Sequence, residues 1–251
     1  SRAAAQLDEA LAAWRNRQIG VCPYLILDAR YETVRRDGQT LDAAVLIAIG
    51  VGPDGKRRVL GVSVSLGEHE VHWRTFLQSL VARGLSGVHL IVSDAHEGLG
   101  AARKAVLGGV PWQRCQFHLQ QNAQAYVTRQ DLRTEVAADI RAIFHAANRA
   151  EAEALLSRTV QKYAKTLPKL ATWLEEAIPQ GLTVFAFPST HQRLLRTTNM
   201  LERLNQEIRR RTRVVGIFPN EAACLRLVSA VLMEISDEWE AGKAYLTFAT
   251  T

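Results

Sequence analysis

The chain has 251 residues, 47% of them hydrophobic, which is enough apolar side chain for a sizeable core and excludes global disorder. Its 31 Lys and Arg outnumber 25 Asp and Glu, giving a net charge of +6 and a pI near 9.5. That balance suggests polyanionic partners, nucleic acid first.

No apolar run approaches the roughly 18 residues of a membrane span, and no signal peptide is visible, so a membrane partner is not expected. Cys22, Cys115 and Cys224 form no CxxC pair and fit a reducing cytosol. The first residue is Ser1, not Met, so an N-terminal partner segment is expected ahead of it.

In chain order, residues 4–17 read as an amphipathic helix. Three β-type runs follow, YLILDARYETV (24–34), AAVLIAIGVG (43–52) and KRRVLGVSVSL (56–66), with GPDGK as a turn before the third. They predict an antiparallel meander. Residues 68–84 have helical spacing and a Gly stop. GVHLIVSDAHEG (87–98) reads as a buried strand ending in a turn, 98–109 as a short helix, and PWQRCQFH (111–118) as a short strand. The order β-β-β-α-β-α-β implies a mixed sheet with helices packed on it. From about Leu119 to Lys169 the chain is rich in Ala, Arg, Glu and Gln with helical periodicity, and helices continue through about Glu176. FAFPSTHQ (185–192) reads as a break, Asn199 to Arg213 as a helix, and the chain from Glu221 to Leu246 as a last amphipathic helix. The expected divisions are an N-terminal helix over 1–20, the first part of an α/β core over 21–118, an α-helical block over 119–194, and completion of the core over 195–251.

Three acidic residues resist a bland reading. Asp28 sits inside LILDARY with apolar residues on both sides of the alternation. A carboxylate there is costly unless it is paired, for example with Arg30 or Arg35, or binds a metal. Asp94 ends the strand HLIVSDAH, where open α/β sheets place ligands, although Asp94 and Glu97 also have the spacing of a helix capping box. Glu202 follows Asn199 at the same capping spacing. In TTNMLERLNQEIRRR the helical step puts Leu201, Leu204 and Ile208 on one face and Glu202, Gln206 and the arginines on another. Seven basic residues, Arg193, Arg196, Arg203, Arg209, Arg210, Arg211 and Arg213, face only Glu202 and Glu207 in this stretch. A solvated helix face is the ordinary reading of such a run; contact with a phosphate backbone is the sharper one.

Two strand acids and one helix acid suit phosphodiester chemistry, in which two Mg²⁺ ions about 4 Å apart activate the attacking oxygen and stabilise the leaving one. Cys115 and His118 could be half of a zinc site, with His191 and Cys22 as distant partners, or a structural pair near the acids. His96, close after Asp94, either backs the acids or is an exposed helix-start residue. Trp173 either stacks on an unpaired base or packs in the helical block.

The segments YLILDARYETVR (24–35), IVSDAHEGL (91–99), WQRCQFH (112–118) and TTNMLERLNQEIRRRTRVVGIFPN (197–220) resemble, in order, the bacterial Mutator-type insertion-sequence transposases of the DDE class. The resemblance covers essentially the whole chain, and the last motif is long and specific. It implies an RNase H-like core: a mixed five-stranded sheet with flanking helices, interrupted by an all-α insertion before the last acid. It implies that Asp28, Asp94 and Glu202 are the catalytic triad and hold two Mg²⁺ ions, with Mn²⁺ as a substitute. Asp28 would bridge both ions. The intervals of 66 positions from Asp28 to Asp94 and 108 from Asp94 to Glu202 fit an insertion in the second interval. His96, Cys115, His118 and Asn199 would stand behind the acids. The implied partners are transposon-end DNA, target DNA and a second copy of the chain, in a cytoplasmic, nucleoid-associated bacterial protein. Family members carry a helical segment ahead of residue 1 that is expected to recognise the element ends. Two rival readings are a structure-specific nuclease or resolvase on the same fold, and a domesticated DNA-binding protein without catalysis.

Overall fold

The computed structural model describes residues 2–248, apart from the side chains of residues 2–4, 199, 200 and 202. β1 (Tyr24–Arg36) and β2 (Gln39–Val51) pair antiparallel along their full length, from Tyr24↔Val51 to Arg36↔Gln39. The residues between them, Asp37 and Gly38, both have positive φ (+50° and +79°), the backbone a two-residue type I′ hairpin loop requires. β3 (Arg57–Ser65) pairs antiparallel with β2, and its register shifts at Ala48/Ile49, where Leu60 is the extra residue of a bulge. The last nine residues of β2 are all buried, the pattern of a strand covered on both faces.

β4 (Leu90–Ser93) and β5 (Trp112–Arg114) complete a five-stranded sheet in the order β3-β2-β1-β4-β5. A parallel bridge, Val21↔Ser86, leads into β1 and β4, and the amides of His89 and Leu90 both donate to the Pro23 carbonyl. β1 and β4 therefore start side by side and run the same way. The sheet is mixed, with flanking helices, and the fold class is α/β.

The helices are α1 (Arg2–Asn16), α2 (Glu70–Ala82), α3 (Glu97–Leu107), α4 (Gln116–Ala123), α5 (Arg133–Phe144), α6 (Arg149–Tyr163), α7 (Pro168–Ala177), α8 (Ser189–Leu195), α9 (Asn199–Thr212) and α10 (Glu221–Ala241). Four short 3₁₀ turns lie between α4 and α8. The chain divides into two compact units.

One unit comprises the chain up to Ile91, Ala95–Val110, and the chain from Asn199 on. In it α9 buries Leu201, Leu204 and Ile208, the apolar face the sequence predicts. α10 begins at a capped end, where the Asn220 side chain accepts from the Ala223 amide, and it lies along β3, where Ser236 Oγ accepts from the Val59 amide. The helix stops at Ala241, short of the predicted end. Gly242 bonds back to the Glu238 carbonyl, and the amides of Tyr245 and Leu246 turn to the Gly55 carbonyl.

The other unit comprises Val92–Asp94 and Pro111–Thr198. Its helices close on an apolar cluster that includes Leu119, Ile140, Phe144, Leu170, Leu174 and Leu182. A buried glutamine fastens β5 to these helices: Gln113 Nε2 donates to the Gly181 carbonyl (2.8 Å) and its Oε1 accepts from the Val184 amide (2.7 Å). Three expected boundaries move. The strand and turn predicted over 87–98 become a four-residue strand, Leu90–Ser93, and a short connection that ends where α3 begins at Glu97. The strand predicted over 111–118 ends at Arg114, because Cys115 caps α4. The break predicted over 185–192 contains the end of a 3₁₀ turn and the start of α8.

Candidate active site

In the first unit Asp28 lies half-buried on β1, where one strand face meets α9. Asn205 Nδ2 of α9 donates to Asp28 Oδ2 at 2.9 Å. The same junction continues along both elements. Arg30 donates to the Asn205 carbonyl (2.5 Å) and ion-pairs with Glu32, whose Oε1 accepts from Thr212 Oγ1 at 3.1 Å. Residues 28, 30 and 32 alternate onto one face of the strand, and Asn205 and Thr212 are two helical turns apart, so the periods match. Arg30 is thus engaged by Glu32 and the α9 backbone. Asn205 Oδ1 is buried without a hydrogen bond among the described residues. Glu202 belongs to α9 one turn before Asn205; its side chain, and that of Asn199, lie outside the described residues.

In the second unit Asp94 directly follows β4, its side chain 38% exposed. Arg114 Nε stands 3.8 Å from its Oδ1 and His118 Nδ1 3.8 Å from its Oδ2, both longer than hydrogen bonds. The capping-box alternative for Asp94 does not form: α3 is capped at His96, with no side-chain bond at the cap. Behind Asp94, the Cys115 amide donates to the Ser93 carbonyl (2.8 Å), and Trp112 Nε1 to Ser93 Oγ (2.9 Å). Cys115 Sγ accepts from both the amide and the hydroxyl of Thr198, each at 3.4 Å. Burial acts to raise the Cys115 thiol, but hydrogen bonds with His118 and Thr198 outweigh it and hold the thiol below its usual range.

The remaining predicted residues are spread more widely. His96 is exposed, with Nδ1 3.6 Å from Glu68. Cys22 and His191 are buried, Cys22 in the first unit and His191 on α8 in the second. Trp173 stacks on Tyr126 with centroids 5.3 Å apart and packs against the helical core. Arg193 is exposed. Arg196 is half-buried, with Nε lacking a hydrogen bond among the described residues, and its carbonyl accepts from the Gln116 amide. Of the α9 arginines and the residue after the helix, Arg210 pairs with Glu207 (2.9 Å) and Arg211 with Glu234 (3.5 Å), while Arg209 and Arg213 have no ion pair among the described residues.

The family model for the Mutator family of transposases matches residues 1–242. The chain belongs to the Mutator transposase family. It is 62% identical over 248 residues to the transposase for insertion sequence element IS406 of Burkholderia multivorans, covering 99% of this chain and 64% of that protein. It is 43% identical to the transposase for ISRM5 of Rhizobium meliloti, covering 96% and 61%. It is 35% identical to the transposase for IS256 in transposon Tn4001 of Staphylococcus aureus, covering 97% and 63%. The chain thus spans about three fifths of the length of these curated relatives. No helix among the described residues is long and apolar enough to cross a membrane.

Within this Mutator-family chain, Asn205, Arg114 and Thr198 are the site neighbours that sequence reading missed. Asn205 lies three positions after Glu202, the one signal that could have marked it. Each unit by itself offers the oxygen donors a hard cation such as Mg²⁺ takes: in the first, the Asp28 carboxylate and a buried Asn205 carboxamide oxygen with no hydrogen bond among the described residues; in the second, the Asp94 carboxylate. No group of three His, Cys, Asp or Glu gathers as a metal site among the described residues, which do not include the Glu202 side chain.

Proposed function

We propose that this chain is the catalytic region of an insertion-sequence transposase, acting on phosphodiester bonds at the ends of an element and joining them to target DNA. The observation that carries this reading is the bond from Asn205 to Asp28: the helix bearing Glu202 is docked on the strand bearing the first acid. Family membership and the names of the relatives support it.

In this reading Asp28, Asp94 and Glu202 are the catalytic carboxylates on an RNase H-like core, and the helical block between β5 and α9 is an insertion in that core. The three carboxylates would hold Mg²⁺, which when bound supplies charge to activate the attacking oxygen and stabilise the departing one. The chain's own residues supply orientation. Asn205 fixes one oxygen of Asp28 and so sets the direction of the carboxylate. Arg114 and His118 flank Asp94, each 3.8 Å from one of its oxygens, and favour the position of the carboxylate. Cys115 and Thr198 tie the turn behind Asp94 to the residue preceding α9. Arg193, Arg196, Arg203, Arg209, Arg210, Arg211 and Arg213 contact backbone phosphates, which positions DNA without reading its sequence.

Two displacements at phosphorus follow. Water attacks the phosphodiester at the element end, one P–O bond forms as another breaks, and a 3′-hydroxyl is released. That hydroxyl attacks a target phosphodiester, again exchanging one P–O bond for another. Two ends must be joined together, so a pair of chains is the working unit.

The test is cleavage and strand joining on a labelled duplex carrying ends of a related element, in Mg²⁺, in Mn²⁺ and in chelator, with the 251-residue chain and with a longer chain. Cutting with joining supports the transposase. Cutting without joining favours a structure-specific nuclease. DNA binding that survives chelation, with no cutting by either chain, favours a non-catalytic DNA-binding protein.

A further inference from the structure

In the first unit a cleft of about 440 Å³ opens between α9, α10 and the start of β3, lined by Arg57, Arg203, Gln206, Glu207, Glu238 and Trp239. Arg57 is the first residue of β3. Its guanidinium carbon lies 4.3 Å from the ring centroid of Trp239 and 4.5 Å from that of Tyr245, so the cation packs over two aromatic rings. Ring contacts of this kind fix a guanidinium through its faces and leave its N–H edge for another partner. Neither Arg57 nor Arg203 has an ion pair with a carboxylate among the described residues.

The charge of Arg203 also reaches Arg57. Burial draws the Arg57 guanidinium below its usual range, and the charge of Arg203 adds to that effect. Of the two carboxylates in the lining, Glu207 is engaged by Arg210 at 2.9 Å, which leaves Glu238 against two guanidiniums. A cleft of ligand size that faces two arginines toward one space, with Gln206 as a neutral donor beside them, is short of negative charge.

We infer that this cleft binds a single backbone phosphate of DNA, held jointly by Arg57 and Arg203. The inference rests on the DNA-acting reading above. Arg203 is the residue after Glu202 in α9, so a phosphate held here fixes the duplex relative to the helix that bears the proposed third acid. Arg57 lies 145 positions from Glu202 in the sequence, outside every motif that marked the family resemblance.

The experiment measures binding of a labelled duplex of random sequence by fluorescence anisotropy from 50 to 300 mM salt. It compares wild type with Arg57→Gln, Arg203→Gln and the double variant, and thermal unfolding checks each for folding. Arg57→Lys keeps the charge and serves if Arg57→Gln does not fold. Each Gln variant should bind severalfold more weakly. The double variant should lose roughly tenfold at 0.1 M salt, and its log–log salt slope should fall by about one, the signature of one phosphate contact. Its loss should be smaller than the product of the single losses, because both arginines hold the same group. Wild-type binding with unchanged affinity and slope in Arg203→Gln and the double variant would overturn the assignment. So would a slope loss of about two with multiplicative effects, which means two separate contacts. Stabilisation of wild type but not the double variant by millimolar inorganic phosphate, with duplex binding unaltered by either change, would make it a free-phosphate site and also overturn the proposal. No duplex binding by wild type would instead remove the DNA-acting reading on which it rests.

Discussion

Asn205 donates to Asp28 across 2.9 Å, and the two residues are 177 positions apart in the chain. The bond joins a strand laid down early in the sequence to a helix laid down near its end. Removing the carboxamide takes from Asp28 the bond that ties it to α9. Asn205→Ala is expected to reduce metal-dependent DNA cleavage by roughly ten- to hundredfold, the usual cost of losing a group that orients a ligand-bearing side chain. The cost in stability should be about 1 kcal/mol, the net contribution of one hydrogen bond. Cleavage rates and thermal unfolding of the same preparation decide it. A full loss of folding would show that Asn205 holds the unit together rather than aiming the acid.

The three acids make a sharper prediction. Asp28→Asn, Asp94→Asn and Glu202→Gln should each keep the fold and most duplex binding, and each should abolish cleavage. These swaps preserve shape and remove the charge a metal requires. A Glu202→Gln protein that cleaves at the wild-type rate would end the assignment of that residue.

A third prediction concerns alkaline stability. Burial pushes the Cys22 thiol up to about 11 and the Cys224 thiol up to about 12, from an ordinary value of 9.0. The folded chain holds these protons more tightly than the unfolded one. Their contribution is therefore complete below pH 9 and is lost as pH rises through the folded values. At about 1.4 kcal/mol per pKa unit, Cys22 alone accounts for up to about 3 kcal/mol between pH 9 and 11. Cys22→Ala should lower stability at neutral pH by its cavity and flatten the alkaline decline. Unfolding free energies at pH 7, 9 and 10.5 check both parts.

Gly181 provides a packing test in the helical unit. A Cβ there would meet Leu119 Cδ1 at 2.6 Å and Phe144 Cε1 at 3.1 Å, and the Gly181 carbonyl accepts from both Gln113 and Gln116. Gly181→Ala should destabilise by about 1–3 kcal/mol through overpacking, as measured by denaturant unfolding. A neutral result would mean that Leu119 can turn aside at no cost.

The sequence makes the apolar parts of the fold visible and hides the polar ones. The cores of β1, β2 and β3 stand out as β-branched runs. The outer half of the hairpin does not, because Arg35, Arg36 and residues 39–42 are exposed and lack an apolar alternation. Only Asp37-Gly38 announces the turn. Asp28 and Asp94 are legible because a carboxylate beside buried strand residues is expensive. Asn205, Arg114 and Thr198 are not legible. Each is an ordinary polar residue until the fold brings it to Asp28, Asp94 or Cys115, and no local pattern encodes a partner more than 80 positions away. Arg114 is the exception in distance, at 20 positions from Asp94, but β5 is too short to predict which side it presents.

β1 is thirteen residues long and β4 only four, so among the described residues much of one side of β1 has no strand beside it. There the loop after α9 supplies a substitute. Phe218 forms a parallel bridge with Val34, donating to the Thr33 carbonyl at 2.9 Å and accepting from the Arg35 amide at 2.8 Å. Open strand edges recruit other chains, and one residue here occupies the bonds an intruding strand would take. The seal is narrow, since a proline in place of Phe218 would remove the donor and leave the hairpin edge adhesive. Colloidal solubility of the purified protein is the property that such a change should lower.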